Sequence, residues 1–392
     1  MSEKNVPNVR FEGFSESWEQ RKLSNLFKVQ SRQVKLEDSE SYQLVTVKRR
    51  NGGIVSRGMF LGQQILVKSQ YRVLSGDFLI SKRQVVHGAT GIVPKKLDGA
   101  VVSNEYLVLR GNNLLNTDFF RIVSERPEMY KLYFLSSYGI DIEKLVFNVK
   151  TWMKKSILLP NTIEQSKIET LVCKIDFLIA SNQHKLDQLK EVKKLLMQKI
   201  FDQEWRFEGF TDPWEQRQLG KIVDERKERS SQGELLSVTM HDGIKKSSTL
   251  GKKDNSSDNK SNYKVVCQGD IAYNSMRMWQ GASGLSMFNG IVSPAYTVLK
   301  IGTSIDGSFL SYLFKRSEMI WMFRTHSQGL TSDTWNLKYP ALSKIKIEYP
   351  ILNEQIRIST FLKNFDQLIA SNQQKLDQLK ELKKWFMQNM FV

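Results

Sequence analysis

The chain has 392 residues, 40% of them apolar and 10% aromatic, which is enough to bury cores and too long for one ordinary domain. Lys and Arg number 58 against 41 Asp and Glu, so the net charge is +17 and a polyanionic partner is favoured, nucleic acid or an anionic membrane. No run of about 18 apolar residues exists and Met1–Asn5 opens no secretory signal, so no membrane attachment is expected. The two cysteines, Cys173 and Cys267, form no Cys-x-x-Cys pair, which excludes a thiolate zinc site or disulfide framework and fits a reducing cytoplasm.

Taken in chain order, the first landmark is Phe11-Glu12-Gly13-Phe14, followed by Trp18-Glu19-Gln20-Arg21. Short β-like runs with glycine-bearing turns come next: Tyr42–Val47, Asp77–Ile80 and Val101–Leu109. The run Thr117–Ser137 reads as helical. After Pro160, Asn161 and Glu164 signal a helix start, and apolar residues then recur in steps of three and four: Val172, Ile175, Ile179, Leu186, Leu189, Leu196 and Ile200. A second stripe, Leu171, Leu178, Val192 and Leu195, is expected to widen that helix's buried face.

Then the chain repeats itself. Phe207-Glu208-Gly209-Phe210 and Trp214–Arg217 return 196 residues after their first appearance. Gly76-Asp77 and Gly88-Ala89 match Gly269-Asp270 and Gly281-Ala282 at an offset of 193, and Val102-Ser103 matches Val292-Ser293 at 190. Further β-like runs fall at Lys264–Val266 and Thr297–Ile301, a helical run at Ser308–Phe323, and a polar stretch, expected to be a mobile loop, at Ser247–Asn262. The strongest match closes the repeat: Ile179–Lys190 and Ile369–Lys380 differ at one position, His184 against Gln374. The second helix carries the seam Leu362, Phe365, Ile369, Leu376, Leu379, Phe386 and Met390, with Phe361, Leu368, Leu382 and Trp385 as its second stripe.

The fold class is therefore α+β: two globular domains in pseudo-symmetric tandem, each followed by a long helix, the two helices pairing as a coiled coil. Boundaries are expected at 1–160, 161–200, 201–350 and 351–392. Polar residues interrupt both seams at matching steps, Asn182 and Lys193 in one, Asn372 and Lys383 in the other. They read either as register pins or as an exposed edge of a short pairing.

Several chemistries find no residues to carry them. A SAM-dependent amino methyltransferase needs a glycine-rich cofactor turn and an Asn/Asp-Pro-Pro-aromatic motif, yet no two prolines are adjacent and no Gly-x-Gly exists. The Gly-x4-Gly-Lys-Ser/Thr of a nucleotide-driven motor is absent. Gly88-Ala89-Thr90-Gly91 and Gly281-Ala282-Ser283-Gly284 lack its lysine and read as turns. Histidines at 87, 184, 241 and 326 are too scattered for a metal cluster.

The blocks Phe11–Leu23 and Phe207–Leu219, with the closing Pro160…Glu164-Gln165 and Pro350…Glu354-Gln355, resemble the specificity subunits of type I restriction-modification systems. One departure is visible: Trp152 lies eight residues before Pro160, whereas Trp335 lies fifteen before Pro350. The resemblance implies a bacterial or archaeal protein in which each domain reads half of a split double-stranded DNA site. It further implies that the helices pair antiparallel, set the gap and dock two modification subunits, with restriction subunits joining through those. SAM, ATP and Mg2+ would then reside on partners, with no cofactor, metal or catalytic group here. Candidate DNA contacts are basic and polar loops: Lys48, Arg49, Arg50 and Asn51, then Lys82, Arg83 and Gln84 in the first domain. In the second they are Lys245, Lys246, Lys252, Lys253 and Arg277, with Gln328 and Thr331 in the stretch Ser327–Ser332. Two rival readings are a self-contained modification or restriction enzyme and a coiled-coil scaffold that never meets DNA.

Overall fold

The computed structural model describes residues 5–240, 243–251, 256 and 259–392. The chain packs as two compact units, Met1–Gln183 with Gln374–Val392, and His184–Gln373. That division falls inside both long helices, not at their ends.

The first unit is built on the strand Phe78–Ser81, whose Phe78, Leu79 and Ile80 are buried on both faces. A strand alternates its side chains between faces, so Phe78 and Ile80 enter one core and Leu79 another. Antiparallel neighbours complete a four-stranded sheet in the order Phe27–Val29, Tyr106–Gly111, Phe78–Ser81, Thr90–Ile92. The Phe78 side packs on helices α1 (Thr117–Ser124), α2 (Pro127–Leu135) and α3 (Val149–Met153), around a fully buried Trp152 ringed by Phe27, Phe120, Tyr133 and Phe147. On the Leu79 side lies a five-stranded sheet containing the long hairpin Ser41–Val47 with Ile54–Leu61.

Two expectations are refined here. The helical run from Thr117 breaks at Arg126, which adopts extended geometry because Pro127 follows it and crowds the helical region. The β run from Val101 splits into Val101–Ser103 and Tyr106–Gly111, strands of two different sheets.

The second unit repeats this construction. Its four-stranded sheet runs Val223–Glu225, Tyr296–Ile301, Ile271–Asn274, Ser283–Leu285, with Ile271 and Tyr273 in one core and Ala272 in the other. Helices α5 (Gly307–Leu313) and α6 (Ser317–His326) break at Arg316 as α1 and α2 do at Arg126, and the short α7 (Tyr339–Leu342) follows. The long hairpin of the first unit shrinks here to Leu236–Val238 with Ile244–Lys246. Of the polar stretch after it, Ser247–Leu250 forms a single 3-10 turn and residues 252–255, 257 and 258 lie outside the described residues.

The long helices are α4 (Thr162–Phe201) and α8 (Leu352–Asn389). Inside the first unit, Ile168 and Val172 of α4 share a core with Phe386, Met390 and Phe391, and Lys383 Nζ lies 2.6 Å from Asp176 Oδ1. Advancing along α4 thus retreats along α8, so the two segments run antiparallel. Inside the second unit, Ile358 and Leu362 of α8 pack with Met197, Ile200 and Phe201, while Lys193 Nζ lies 2.5 Å from Asp366 Oδ1. The seam residues are buried or half-buried, as expected. The second stripe is a correction: Leu178, Leu382 and Trp385 in one unit, and Val192, Leu195 and Leu368 in the other, are exposed. A helix seated by one row of knobs buries one face, and the chain supplies nothing to cover the next.

Candidate nucleic-acid interface

In the first unit three loops are tied together at one rim. The long hairpin turns through Arg49–Gly52, where Gly52 N donates to Arg49 O at 3.2 Å. Arg50 and Asn51, at φ 56° and 54°, are both left-handed, as a type I′ turn requires. Asn accepts that geometry readily, whereas Arg in it carries strain. The turn is lashed down, because Arg50 N donates to His87 O at 2.7 Å and Asn51 N to Gly88 O at 2.9 Å.

His87 and Gly88 belong to the second loop, which runs from Ser81 through Lys82, Arg83 and Gln84 into the 3-10 turn Val85–His87. The φ of Gly88, 72°, favours glycine, and a Cβ there would push aside Asn51 Oδ1 and the Tyr130 hydroxyl, each 2.8 Å away. The chain then re-enters a strand, not a helix, so the glycine cluster is a hairpin turn. Lys82 Nζ donates to Asn104 O at 2.6 Å and Arg83 pairs with Glu105 at 2.7 Å on the surface. Gln84 Oε1 is shielded and has no protein partner among the described residues.

The third loop is a two-stranded ribbon, Ser137–Tyr138 with Val146–Phe147. Its Glu143 reaches Arg49 at 2.9 Å and His87 at 3.4 Å, and Phe147 N donates to Lys82 O at 2.9 Å. Lys48, Arg49, Arg50, Lys82, Arg83 and Gln84 therefore converge on one rim.

The second unit assembles the same three loops with other residues. Lys245 and Lys246 sit in the strand Ile244–Lys246; Lys245 is exposed, and Lys246 lies 3.4 Å from Glu234. Lys252 and Lys253 lie outside the described residues. Arg277, exposed, caps the 3-10 turn Met278–Gln280 at the same φ as Gln84, −127°, so the two are structural counterparts. The third loop is closed by Gln328 and Asn336, whose backbones exchange hydrogen bonds of 3.1 and 2.8 Å; Gln328 and Thr331 are exposed. Leu337 N donates to Ser275 O at 2.8 Å, the counterpart of Phe147 to Lys82, and Trp335 packs edge-on against Trp279 under the Arg324 guanidinium.

Lys315 braces these loops from beneath. Its ammonium donates to Gly281 O at 2.6 Å, Ser283 O at 2.9 Å and Met240 O at 3.1 Å, and burial pushes its pKa down to about 8. Its counterpart in the first unit is Glu125, paired with Arg121 at 3.0 Å, whose carboxyl is pushed up chiefly by burial.

The motif residues hold the fold. Arg10 forks onto Glu164 through bonds of 2.9 and 2.6 Å, and Arg206 onto Glu354 at the same two distances, with both carboxylates 1% exposed. Gln165 and Gln355 each accept from one backbone N–H and donate to two carbonyls at the helix start. The Gly-Asp pairs place Asp77 under Arg32 and Asp270 under Arg226, at 2.6 Å in both cases. Of the seam residues, Asn182 and Asn372 donate to the carbonyl one turn back at 2.7 Å, and Lys193 and Lys383 make the inter-helix ion pairs above. The ribbon at 137–147 was missed in the sequence, although the offset of 190 that relates Gln328 to Tyr138 points to it. Among the described residues no three His, Cys, Asp or Glu group as metal ligands, and no helix is long and apolar enough to cross a membrane.

Residues 212–381 match the family model of the type I restriction modification DNA specificity domain. Among solved structures, the chain is similar to the HsdS subunit of Thermoanaerobacter tengcongensis, at 20% identity over 97% of this chain and 98% of that one, with a TM-score of 0.51. It is also similar to a chain from a study of type I R-M complex assembly and conformational transition, at 19% identity, covering 95% and 97%, TM-score 0.51. The third is the type I restriction-modification S subunit of M. genitalium, at 11% identity, covering 99% of both chains, TM-score 0.60. At such identities the three speak to the fold. No curated protein matches.

Proposed function

We propose that the chain is a specificity subunit of the type I restriction-modification family, whose DNA specificity domain model matches residues 212–381, and that each unit reads one half of a split, asymmetric double-stranded DNA site. One observation carries this reading. Both units tie the third loop to the second by the same backbone bond, Phe147 N to Lys82 O and Leu337 N to Ser275 O, yet fill the loops with unrelated, largely basic and polar side chains. A fixed frame with free loops is what two different half-sites need. Phosphates supply affinity and base edges supply discrimination, so lysines and arginines position while Asn51, Gln328 and Thr331, exposed at the loops, are suited to base edges.

The helices set the gap between half-sites, with Lys193–Asp366 and Lys383–Asp176 holding register. Their outward stripe, with Leu195 53% and Trp385 45% exposed, is the seat of two modification subunits. Those partners bring SAM and adenine-N6 transfer. Restriction subunits, joined through them, bring ATP-driven translocation and Mg2+-dependent cleavage, and this chain itself is not catalytic.

Coexpression with a family modification subunit, followed by sequencing of methylated adenines, tests the proposal. The expected result is one bipartite motif that disappears when this chain is omitted. Methylation that persists without it, or turnover by the purified chain with SAM and Mg2+, contradicts it.

A further inference from the structure

Both third loops end in the same unusual feature. Ile140 is 105% exposed and Leu330 102%, the two most exposed large apolar side chains among the described residues. They are equivalent positions, each following a glycine of positive φ, Gly139 at 156° and Gly329 at 139°. The neighbours differ entirely, Asp141-Ile142-Glu143 in one and Thr331-Ser332-Asp333 in the other. A single exposed aliphatic needs no explanation. An exposed aliphatic at both tips, each after a positive-φ glycine and followed by unrelated residues, does.

The tips also close on themselves. A Cβ on Gly139 would lie 3.0 Å from Lys144 O, and one on Gly329 2.6 Å from Thr334 O, so the returning chain presses on each glycine. Asp141 accepts from Glu143 N at 3.3 Å, and Thr331 N donates to Thr334 Oγ1 at 3.1 Å, closing both tips internally. Each loop, a two-stranded ribbon in the first unit and one closed by the single bridge Gln328–Asn336 in the second, stands beside the basic rim, bound to it through Glu143 and Phe147 in one unit and Leu337 and Trp335 in the other.

A two-stranded ribbon fits the major groove, and the apolar group displayed there is the thymine methyl. Resting on the DNA-reading role above, we propose that Ile140 and Leu330 are specificity-determining residues, each packing on a thymine C5-methyl in its own half-site. The groups in contact are aliphatic on both sides, so the contact discriminates thymine from cytosine without a hydrogen bond.

The test uses the full chain with its modification partner and duplexes carrying the mapped site. Replacing each thymine of the half-site by uracil in turn removes one methyl at a time. One position is expected to weaken binding by the unmodified protein about 3- to 5-fold, the worth of one buried methyl. Ile140→Ser is expected to weaken the first half-site by about 3- to 10-fold with an unchanged unfolding midpoint, and uracil at that position then costs nothing more. Leu330→Ser does the same for the second half-site alone. Uracil tolerated at every position by the unmodified protein overturns the proposal, and that arm does not depend on a variant folding. Equal uracil penalties in variant and parent, or a kink detected by unstacking of 2-aminopurine with no methyl dependence, overturn it too. Failure of the parent to select any sequence would instead overturn the DNA-reading role.

Discussion

Replacing Arg50 with Asn will make the first unit more stable and poorer at holding DNA. Arg50 sits at φ 56° with its side chain exposed, so the fold gains nothing from the guanidinium and bears the left-handed backbone. That conformation costs a side-chain-bearing residue roughly 1–2 kcal/mol, and Asn, which enters it several-fold more often, recovers part of it. The backbone N–H still reaches His87 O, so the turn keeps its shape. A gain of about 0.5–1 kcal/mol is expected in urea unfolding, with m unchanged. Binding moves the other way. Losing one phosphate-facing cation lowers the slope of log affinity against log salt by about 0.9, measurable by fluorescence anisotropy across a salt series. Opposite signs in the two assays are the signature of strain kept for function. A variant that is less stable, or whose salt slope is unchanged, refutes the assignment of this turn to DNA.

Arg10→Ala leaves the buried Glu164 carboxylate without its partner and is expected to cost roughly 3–5 kcal/mol in urea unfolding, as is Arg206→Ala with Glu354; a loss under 1 kcal/mol would show that the fork is dispensable. Burial holds Lys315 at about 8 against an ordinary 10.5, so between those values the unfolded chain binds the extra proton and stability rises with pH. Lys315→Met flattens that rise, and a profile identical to the parent's would contradict it. Adding one heptad after both Lys190 and Lys380 keeps the antiparallel contacts inside each unit and adds about 10 Å of helix. The gap between half-sites then grows by one to about three base pairs without changing either half, and an unchanged gap in an active variant means that the helices do not set it.

The repeat and the helices were legible because their signals are local. A heptad seam or an offset of 190 needs no knowledge of what lies across the fold. The work of the motifs was not legible, since Arg10 meets Glu164 across 154 residues and nothing near either names the other. Periodicity showed two apolar stripes per helix, but not that the chain would bury only one. Helix breaks at Arg126 and Arg316 follow extended backbone, which Pro127 announces in one copy and nothing announces in the other. Of the candidate loops, charge picks out the first two, and polarity picks out Ser327–Ser332 in the second copy. The ribbon at 137–147 carries too little charge to stand out, and its place beside Arg49 and His87 is a tertiary fact.

The central claim is that two like-built units each read their own half-site. It is tested most directly by replacing residues 24–147 with the chain's own 220–337, so that both units carry the second set of loops. Sequencing methylated adenines in cells that express this variant with a modification subunit gives the answer. The account predicts a bipartite site whose two halves both carry the sequence now read by the second unit, with the gap unchanged. Methylation still confined to the original asymmetric site, or a first half-site that survives the exchange, would contradict it.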